Sequence, residues 1–113
     1  MTYVSVIDAL ASPTRRAIVE RLKAGPTAAG VLADGLPVSQ PAVSQHLSVL
    51  KAARLVSESR VGARRIYRIE PEGLMALRAW LDGFWNDVLQ SYADAVERDE
   101  HEREALKKDE PAS

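Results

Sequence analysis

The sequence contains no cysteine and only two histidines, His46 and His101. Without cysteine the chain cannot form a disulfide, sense redox state through a thiol or bind a metal through a thiolate. The two histidines do not stand at a ligand spacing, and a zinc site needs several nitrogen or sulfur ligands. We therefore expect a protein without a metal or other cofactor.

Long apolar runs are also missing. No stretch is long enough to span a bilayer, and the N-terminal residues lack the basic region and the small-residue cleavage site of a signal peptide. These features predict a cytoplasmic protein that does not insert into a membrane. The sequence also lacks a nucleophile paired with a base, a carboxylate pair in a plausible pocket and a glycine-rich phosphate loop, so we do not expect an enzyme.

Acidic residues are scarce in the middle of the chain, although the net charge of the whole is only −1. Between Ser12 and Glu70 there are ten basic and four acidic residues, a net charge of +6. From Pro71 onward five basic residues face eleven acidic ones, a net charge of −6, and Asp8 supplies the remaining −1. A basic central module of this kind is typical of a nucleic-acid-binding domain.

The most informative stretch runs from residue 38 to residue 51. Val43, Leu47 and Leu50 recur at the spacing that forms one buried stripe of a helix. The opposite face is polar and carries little charge: Gln40, Ser44, Gln45, Ser48 and Lys51. Amide and hydroxyl groups can both donate and accept hydrogen bonds at base edges, so we predict a helix that reads DNA.

This helix has a defined start, and another helix precedes it. Ser39 is a good N-cap, and Pro41 falls in the first turn, where a missing N–H costs nothing. Upstream, Thr27 is expected to cap a weak helix that reaches Leu36, where Pro37 ends it. The short connection predicts a helix-turn-helix pair, whose second helix enters the major groove. A helical hairpin in an ordinary bundle is the alternative.

Two further helices are predicted before this pair, one ending near residue 11 and one over residues 13–23, with Ser12 as N-cap of the second. Arg15 and Arg16 lie in the first turn of the second helix, where the helix dipole disfavours positive charge. We expect a protein acid or solvent to compensate them, and a DNA phosphate is the alternative.

Two strands are predicted after the reading helix, at residues 55–60 and 65–69, with Gly62 in the turn between them. The tip carries three arginines and no acidic residue: Arg60, Arg64 and Arg65. A basic hairpin beside a helix-turn-helix is typical of a wing, whose arginines reach DNA phosphates or the minor groove. The alternative is a solvated basic turn, which would ordinarily include acidic residues as well.

A long helix is predicted from Pro71, and its apolar stripe is too broad for a single contact. Half of the stripe should pack on the domain and half on a second subunit, together with the first helix. The expected dimer interface comprises Val4, Ile7, Trp80, Phe84, Trp85, Val88 and Tyr92. The alternative is that the aromatic residues line an effector pocket. Residues 1–96 are predicted to form the domain, and residues 97–113 a charged, disordered tail; the alternative for the first part of the tail is an extension of the helix through pairs such as Glu104 with Lys108.

Three segments resemble the ArsR family of bacterial winged-helix repressors: residues 12–19, 38–47 and 62–69. The block Ser-Gln-x-x-Val-Ser-x-His-Leu in the second segment is specific to that family, and the resemblance covers about residues 5–90. It implies a mainly α, winged helix-turn-helix fold with a small β-hairpin, in the order α-α-α-α-β-β-α. It also implies a homodimer that binds double-stranded DNA at an operator of dyad symmetry and represses transcription until a signal releases it.

The resemblance assigns roles by position. Gln40, Pro41, Ser44 and Gln45 would lie over the bases, Ser39 near a phosphate, and the arginines of the wing on the backbone. With the polar helix face included, the predicted DNA-binding residues are Ser39, Gln40, Pro41, Ser44, Gln45, Lys51, Arg60, Arg64 and Arg65.

The chain departs from the metal-sensing members of the family. Some of those members carry two cysteines at the start of helix three, where this chain has Ala28 and Gly30. Others place Asp, His, His and Glu along the last helix, where this chain has no histidine before His101. The resemblance is therefore to the non-metal, autorepressor-like branch, and it identifies no small-molecule effector. Two alternatives stay open: a protein-interaction module that has lost DNA binding, and a metal-responsive repressor with an atypical carboxylate and histidine site.

Overall fold

The computed structural model describes residues 3–108. Over this range the chain forms α1 (Tyr3–Leu10), α2 (Pro13–Leu22), β1 (Thr27–Ala28), α3 (Ala29–Ala33), α4 (Gln40–Ala52), β2 (Val56–Val61), β3 (Arg64–Ile69) and α5 (Pro71–Lys108). The predicted winged helix-turn-helix order is confirmed, with one strand added. None of the helices in this range is both long and apolar enough to cross a membrane.

Both predicted N-caps, Ser12 and Ser39, form as expected. The hydroxyl of Ser12 accepts a hydrogen bond from the backbone N–H of Arg15 at 3.3 Å, and the hydroxyl of Ser39 accepts one from that of Ala42 at 3.3 Å. A proline follows in the first turn of each helix, where the backbone N–H has no helical partner. The start of α4 is thus fixed by local chemistry.

A third strand is the main difference from the predicted fold. Thr27, expected to cap the third helix, instead belongs to β1, which pairs antiparallel with β3 through Thr27 opposite Tyr67 and Ala28 opposite Ile66. The sheet therefore has three strands in the order β1-β3-β2. Two residues are too few to show the alternating pattern of a strand, and therefore the local sequence does not predict β1. The strand forms because the edge of β3 offers it a partner.

The third helix is shorter than the sequence pattern predicts. It ends at Ala33 rather than at Leu36, and Ala28 at its N-cap makes no side-chain capping bond. Gly35 follows with φ of +77°, a conformation that glycine adopts without steric cost. The chain therefore turns two residues earlier than Pro37 would require.

Arg15 and Arg16 are compensated by backbone carbonyls rather than by the expected protein acid, and Arg16 is exposed to solvent as well. The two guanidinium groups donate to four carbonyl oxygens at the end of α1, those of Asp8, Ala9, Leu10 and Ala11. The carbonyl end of a helix carries the negative pole of its dipole. The first turn of α2 therefore caps α1, and each helix end offsets the electrostatic cost of the other.

The core lies between the helices of the first 79 residues and the inner face of the sheet. Val43, Leu47 and Leu50, predicted to form the buried stripe of α4, belong to the central cluster together with Ile18 and Leu22 of α2. Leu32, Leu55 and Tyr67 complete the contacts to α3 and the sheet. Because this stripe of α4 faces inward, the polar face of the helix is left outside.

The C-terminal end of α4 is in direct contact with the first turn of α5. The N–H of Leu55 donates to the carbonyl of Leu50 at 3.0 Å, which is the long bond of a Schellman motif, and Arg54 adopts the left-handed φ of 60° that this motif uses. The N–H of Gly73 donates to the carbonyl of Arg54 at 2.9 Å. A Cβ at residue 73 would lie 2.5 Å from the carbonyl oxygen of Ala53, so the close approach requires glycine.

The 38-residue helix α5 runs from one compact unit into another. Contacts divide the chain into an N-terminal unit, residues 1–79, and a C-terminal unit, residues 80–113. Residues 97–108, predicted to be part of a disordered tail, are helical. Their Glu, Arg, Ala, Leu and Lys side chains are good helix formers, and this preference outweighs the high charge. Residues 109–113 of the predicted tail lie outside the described residues.

Candidate nucleic-acid interface

The polar face of α4 begins at the N-terminus of the helix. Gln40, Pro41 and Gln45 are exposed, and Ser44 is half-buried beside them. They project from the first two turns of a helix whose opposite face is packed in the core. The structure thus brings together the four residues that the sequence predicts over the bases, on a surface open to a ligand as large as DNA.

The wing tip turns tightly between β2 and β3. Gly62, with φ of +63°, occupies the first position of a two-residue turn, as in a type II′ hairpin. Arg60 lies opposite Arg65 across the strands, and Arg64 lies opposite Val61. Arg60 and Arg64 are exposed, and Arg65 is half-buried. The three arginines predicted to contact DNA are therefore grouped at one end of the hairpin.

Arg65 connects the wing to α4. Its guanidinium donates to the hydroxyl of Ser44 at 3.3 Å, and its Cζ atom lies 5.8 Å from the centre of the Tyr67 ring. A cation near an aromatic face and a hydrogen bond to a hydroxyl both favour one orientation of the side chain. Two residues assigned separately to helix and wing are thus in direct contact.

An open cleft of about 430 Å³ separates the helix-turn-helix from the wing tip. Residues of β1, α3, α4 and the hairpin line it: Ala28, Ala29, Gly30, Val31, Gln40, Ala63, Arg64 and Arg65. Its helical wall is made of small or uncharged side chains, and its wing wall carries two cations. A polyanion can approach Gln40 and the arginines together from this side.

Lys51, the last residue predicted to contact DNA, is already paired. Its ammonium donates to a carboxylate oxygen of Glu58 on β2 at 3.3 Å, and the Tyr67 hydroxyl donates to the same oxygen at 3.2 Å. Burial raises the pKa of Glu58, but the hydrogen bond and charge of Lys51, the Tyr67 hydroxyl and the charge of Arg65 outweigh it, so the net shift is downward. Burial and the Glu58 charge raise the pKa of Tyr67.

Sequence reasoning missed Glu58 and Tyr67. A signal was present, because Glu58 is the only acidic residue between Asp34 and Glu70 in a strongly basic module. An isolated acid among many cations is expected to pair with one of them. Tyr67 stands directly opposite Glu58 in the β2–β3 register. That register could be proposed once the hairpin turn was placed at Gly62.

His46 has a partner within the protein. Its Nδ1 atom lies 3.4 Å from a guanidinium nitrogen of Arg15, and the ring is half-buried between α4 and α2. The contact supports a structural role for this residue.

The residues predicted at a dimer interface are exposed in both units. On α1, Val4 and Ile7 are 50% and 43% exposed. On α5 the exposed residues of the predicted set are Trp80, Phe84, Trp85, Val88 and Tyr92. The rings of Trp80 and Phe84 stack with their centres 5.5 Å apart. Among the side chains of the described range, no three His, Asp or Glu residues are grouped closely enough to hold a metal ion.

Comparison with known proteins places the interface in a family. Residues 10–58 match a family of helix-turn-helix domains. The HTH-type transcriptional regulator Rv2034 of Mycobacterium tuberculosis is 59% identical over 90 residues, which are 80% of this chain and 84% of that protein. The transcriptional repressor SdpR of Bacillus subtilis is 35% identical over 82 residues, 73% of this chain and 91% of that protein.

The matched structures agree with this assignment. The homodimeric winged helix-turn-helix DNA-binding domain Mb0332 of Mycobacterium bovis, a possible ArsR-family regulator, matches with a TM-score of 0.59 and 30% identity over 78% of this chain and 82% of that chain. Other matched structures are of ArsR-family and ArsR-like regulators. The predicted class, a DNA-binding regulator rather than an enzyme, is confirmed. The chain belongs to the ArsR family of winged helix-turn-helix transcriptional regulators.

Proposed function

We propose that this protein is a homodimeric repressor that binds an inverted-repeat operator with α4 in the major groove. The observation that carries the proposal is the cleft in which Gln40 of α4 faces Arg64 and Arg65 of the wing. Amide groups suited to base edges and guanidinium groups suited to phosphates line one surface. A protein needs both on one surface if it is to contact the bases and the DNA backbone at the same time. The relative SdpR is itself named a transcriptional repressor.

The roles we assign follow the chemistry of each side chain. Gln40 and Gln45 are suited to bidentate hydrogen bonds with adenine, and Pro41 to contact with a thymine methyl. Ser44 can donate to or accept from either kind of base edge. Ser39, at the helix start, lies where a phosphate meets free backbone N–H groups. Gln40, Pro41, Ser44 and Gln45 form the reading surface of the proposed complex, and Ser39 positions it.

The wing supplies the contacts that do not depend on sequence. Arg60, Arg64 and Arg65 carry three charges on a short hairpin and would bind phosphates or enter the minor groove. Lys51 was predicted to join them, but its pairing with Glu58 distinguishes it from these arginines.

Two copies of the chain are needed for an inverted repeat, and the exposed apolar residues of α1 and α5 are suited to join them. Surfaces with this many exposed aromatic and aliphatic side chains ordinarily mark a protein contact. The matched Mb0332 domain is homodimeric. A two-fold axis would place the two α4 helices in successive major grooves, about 34 Å apart. We place this complex in the cytoplasm, where bacterial DNA is accessible.

The test compares two substitutions on DNA upstream of the protein's own gene and on a scrambled duplex. Gln45→Ala should lower discrimination between the two by about 1–3 kcal/mol, because it removes a bidentate base contact. Arg64→Ala should weaken binding to both duplexes alike and make the salt dependence shallower. Binding is measured by fluorescence anisotropy at several salt concentrations.

Arg103→Ala provides the matched control, because it removes the same charge from an exposed residue of the C-terminal unit. It should leave both duplex affinities near the wild-type values. An unchanged ratio of specific to nonspecific affinity in Gln45→Ala would contradict the assigned reading surface. If the wild-type protein itself showed no selectivity on this or any genomic DNA, the protein-interaction module would become the better account.

A further inference from the structure

The C-terminal end of α4 is fastened to the sheet by a three-residue cluster, which we call the Glu58 cluster: Lys51, Glu58 and Tyr67. One carboxylate oxygen of Glu58 accepts from both the Lys51 ammonium, at 3.3 Å, and the Tyr67 hydroxyl, at 3.2 Å. The Glu58 side chain is only 18% exposed, whereas that of Lys51 is 56% exposed. The acid is therefore held by the sheet, and the lysine reaches to it from the last turn of α4.

The Glu58 cluster acts together with the Arg65 contact described above. Arg65 binds Ser44 in the N-terminal half of α4, and Glu58 binds Lys51 at its C-terminal end. Both partners belong to the β2–β3 hairpin, where Tyr67 lies directly opposite Glu58 and two residues after Arg65. The hairpin thus contacts the helix at two points, about two turns apart, and two points fix the direction of the helix axis on the sheet.

Pairing also changes what Lys51 can offer to DNA. An unpaired lysine on the polar face of α4 would bind phosphates of any duplex, which raises affinity without reading sequence. A lysine paired with a carboxylate presents little net charge, and a phosphate would have to displace the acid. The pairing therefore lowers binding to nonspecific DNA more than it lowers binding to an operator read through base edges.

We propose that Glu58 is a specificity-determining and positioning residue, which holds Lys51 away from DNA phosphates and fixes α4 at the angle that suits base reading. This inference rests on the proposed function, in which α4 reads the operator. Tyr67 orients the carboxylate toward Lys51. The lowered pKa of Glu58 keeps the carboxylate ionised at neutral pH, as the pairing requires.

The decisive substitution is Glu58→Gln, which keeps the side-chain size and an oxygen acceptor for the Tyr67 hydroxyl but removes the charge. Lys51 is then free to bind a phosphate. One added phosphate contact should steepen the slope of log affinity against log salt by about 0.9, so that affinity falls about 3- to 4-fold further between 50 and 200 mM salt. Nonspecific affinity at low salt should rise, and the ratio of specific to nonspecific affinity should fall.

Lys51→Gln is the second variant and remains informative if Glu58→Gln does not fold. Because wild-type Lys51 is held away from phosphates, its loss should leave the salt slope unchanged. A slope shallower by about 0.9 would overturn the inference, since it would mean that Lys51 contacts a phosphate in the wild-type complex. The double variant should return the salt slope of Glu58→Gln to the wild-type value.

Glu20→Gln is the matched control. Glu20 pairs with Lys23 at 3.2 Å on the exposed surface of α2, so the substitution breaks a similar ion pair and makes the same change in net charge. It should leave the slope and the specificity ratio as they are. Selective wild-type binding with an unchanged slope in folded Glu58→Gln would overturn this inference alone. A wild-type protein without selective DNA binding would overturn the proposed function and this inference together.

Discussion

The two units of the chain differ in where their apolar residues lie. The N-terminal unit holds every residue of the buried cluster, from Val6 to Tyr67, and carries the basic surface. In the C-terminal unit none of residues 80–107, whose side chains are described, is buried, although this segment includes two tryptophans, a phenylalanine and a tyrosine. The comparison indicates that the N-terminal unit is stabilised by its own core, whereas residues 80–107 of the C-terminal unit form no buried cluster of their own.

The largest expected effect is a test of the N-terminal core. Leu47→Ala removes a fully buried side chain from α4 and should lower the free energy of unfolding by about 2–5 kcal/mol. Leu106→Ala makes the same change at a residue of α5 that is 68% exposed, and should change it by less than about 0.5 kcal/mol. Urea unfolding followed by circular dichroism, at one fixed protein concentration, measures both. Equal losses would remove the distinction between the units.

The next effect concerns the surface that is proposed to cover the C-terminal unit. Phe84→Asp introduces a charge at a stacked and exposed ring, and should weaken self-association by about 2 kcal/mol or more, a factor of about 30 in the dissociation constant. Asn86→Asp is the control, because it adds the same charge two residues along α5, on a different side of the helix. Analytical ultracentrifugation measures the dissociation constant of both variants. If the two substitutions left the dissociation constant equally unchanged, the dimer would have another interface.

The smallest effect compares two glycines of α5. Gly73→Ala should destabilise the protein by about 1–3 kcal/mol, because its Cβ would lie 2.5 Å from the carbonyl oxygen of Ala53. Gly83→Ala meets no atom within 4 Å and should stabilise the helix by up to about 1 kcal/mol through its better helix propensity. Thermal unfolding in the Phe84→Asp background separates this difference from any subunit contact. A stabilising Gly73→Ala would show that α5 can start elsewhere.

Local signals predicted most of the N-terminal unit. Ser12 and Ser39 with their following prolines set the starts of α2 and α4, and the buried stripe of α4 was readable from its spacing. These features depend on residues within one or two turns, which is why the sequence shows them. The grouping of Gln40 with the wing arginines also followed, because the resemblance supplied the arrangement of helix and hairpin.

The contacts that the sequence did not reveal are those between elements distant in the chain. Strand β1 exists because the edge of β3 is free, and Arg15 finds carbonyls only when α1 lies beside α2. The pairing of Lys51 with Glu58 needs both the hairpin register and the packing of α4 on the sheet. For residues 97–108 the sequence left a helix and a disordered tail open, because their high charge and their good helix propensity favour opposite outcomes, and these residues are helical.

Arg65 enters the proposed DNA complex with its side chain already ordered. A free arginine loses about 2 kcal/mol of rotamer entropy when it is immobilised. The bond to Ser44 and the Tyr67 ring impose part of that loss during folding, before any DNA is present. Less side-chain entropy therefore remains to be lost when DNA binds, and Arg65 can bind a phosphate in the conformation that it already has. Arg60 and Arg64 are exposed and would be ordered only on contact with DNA. The three arginines of the hairpin therefore differ in how much side-chain entropy each loses on binding, and in how much each adds to the measured affinity.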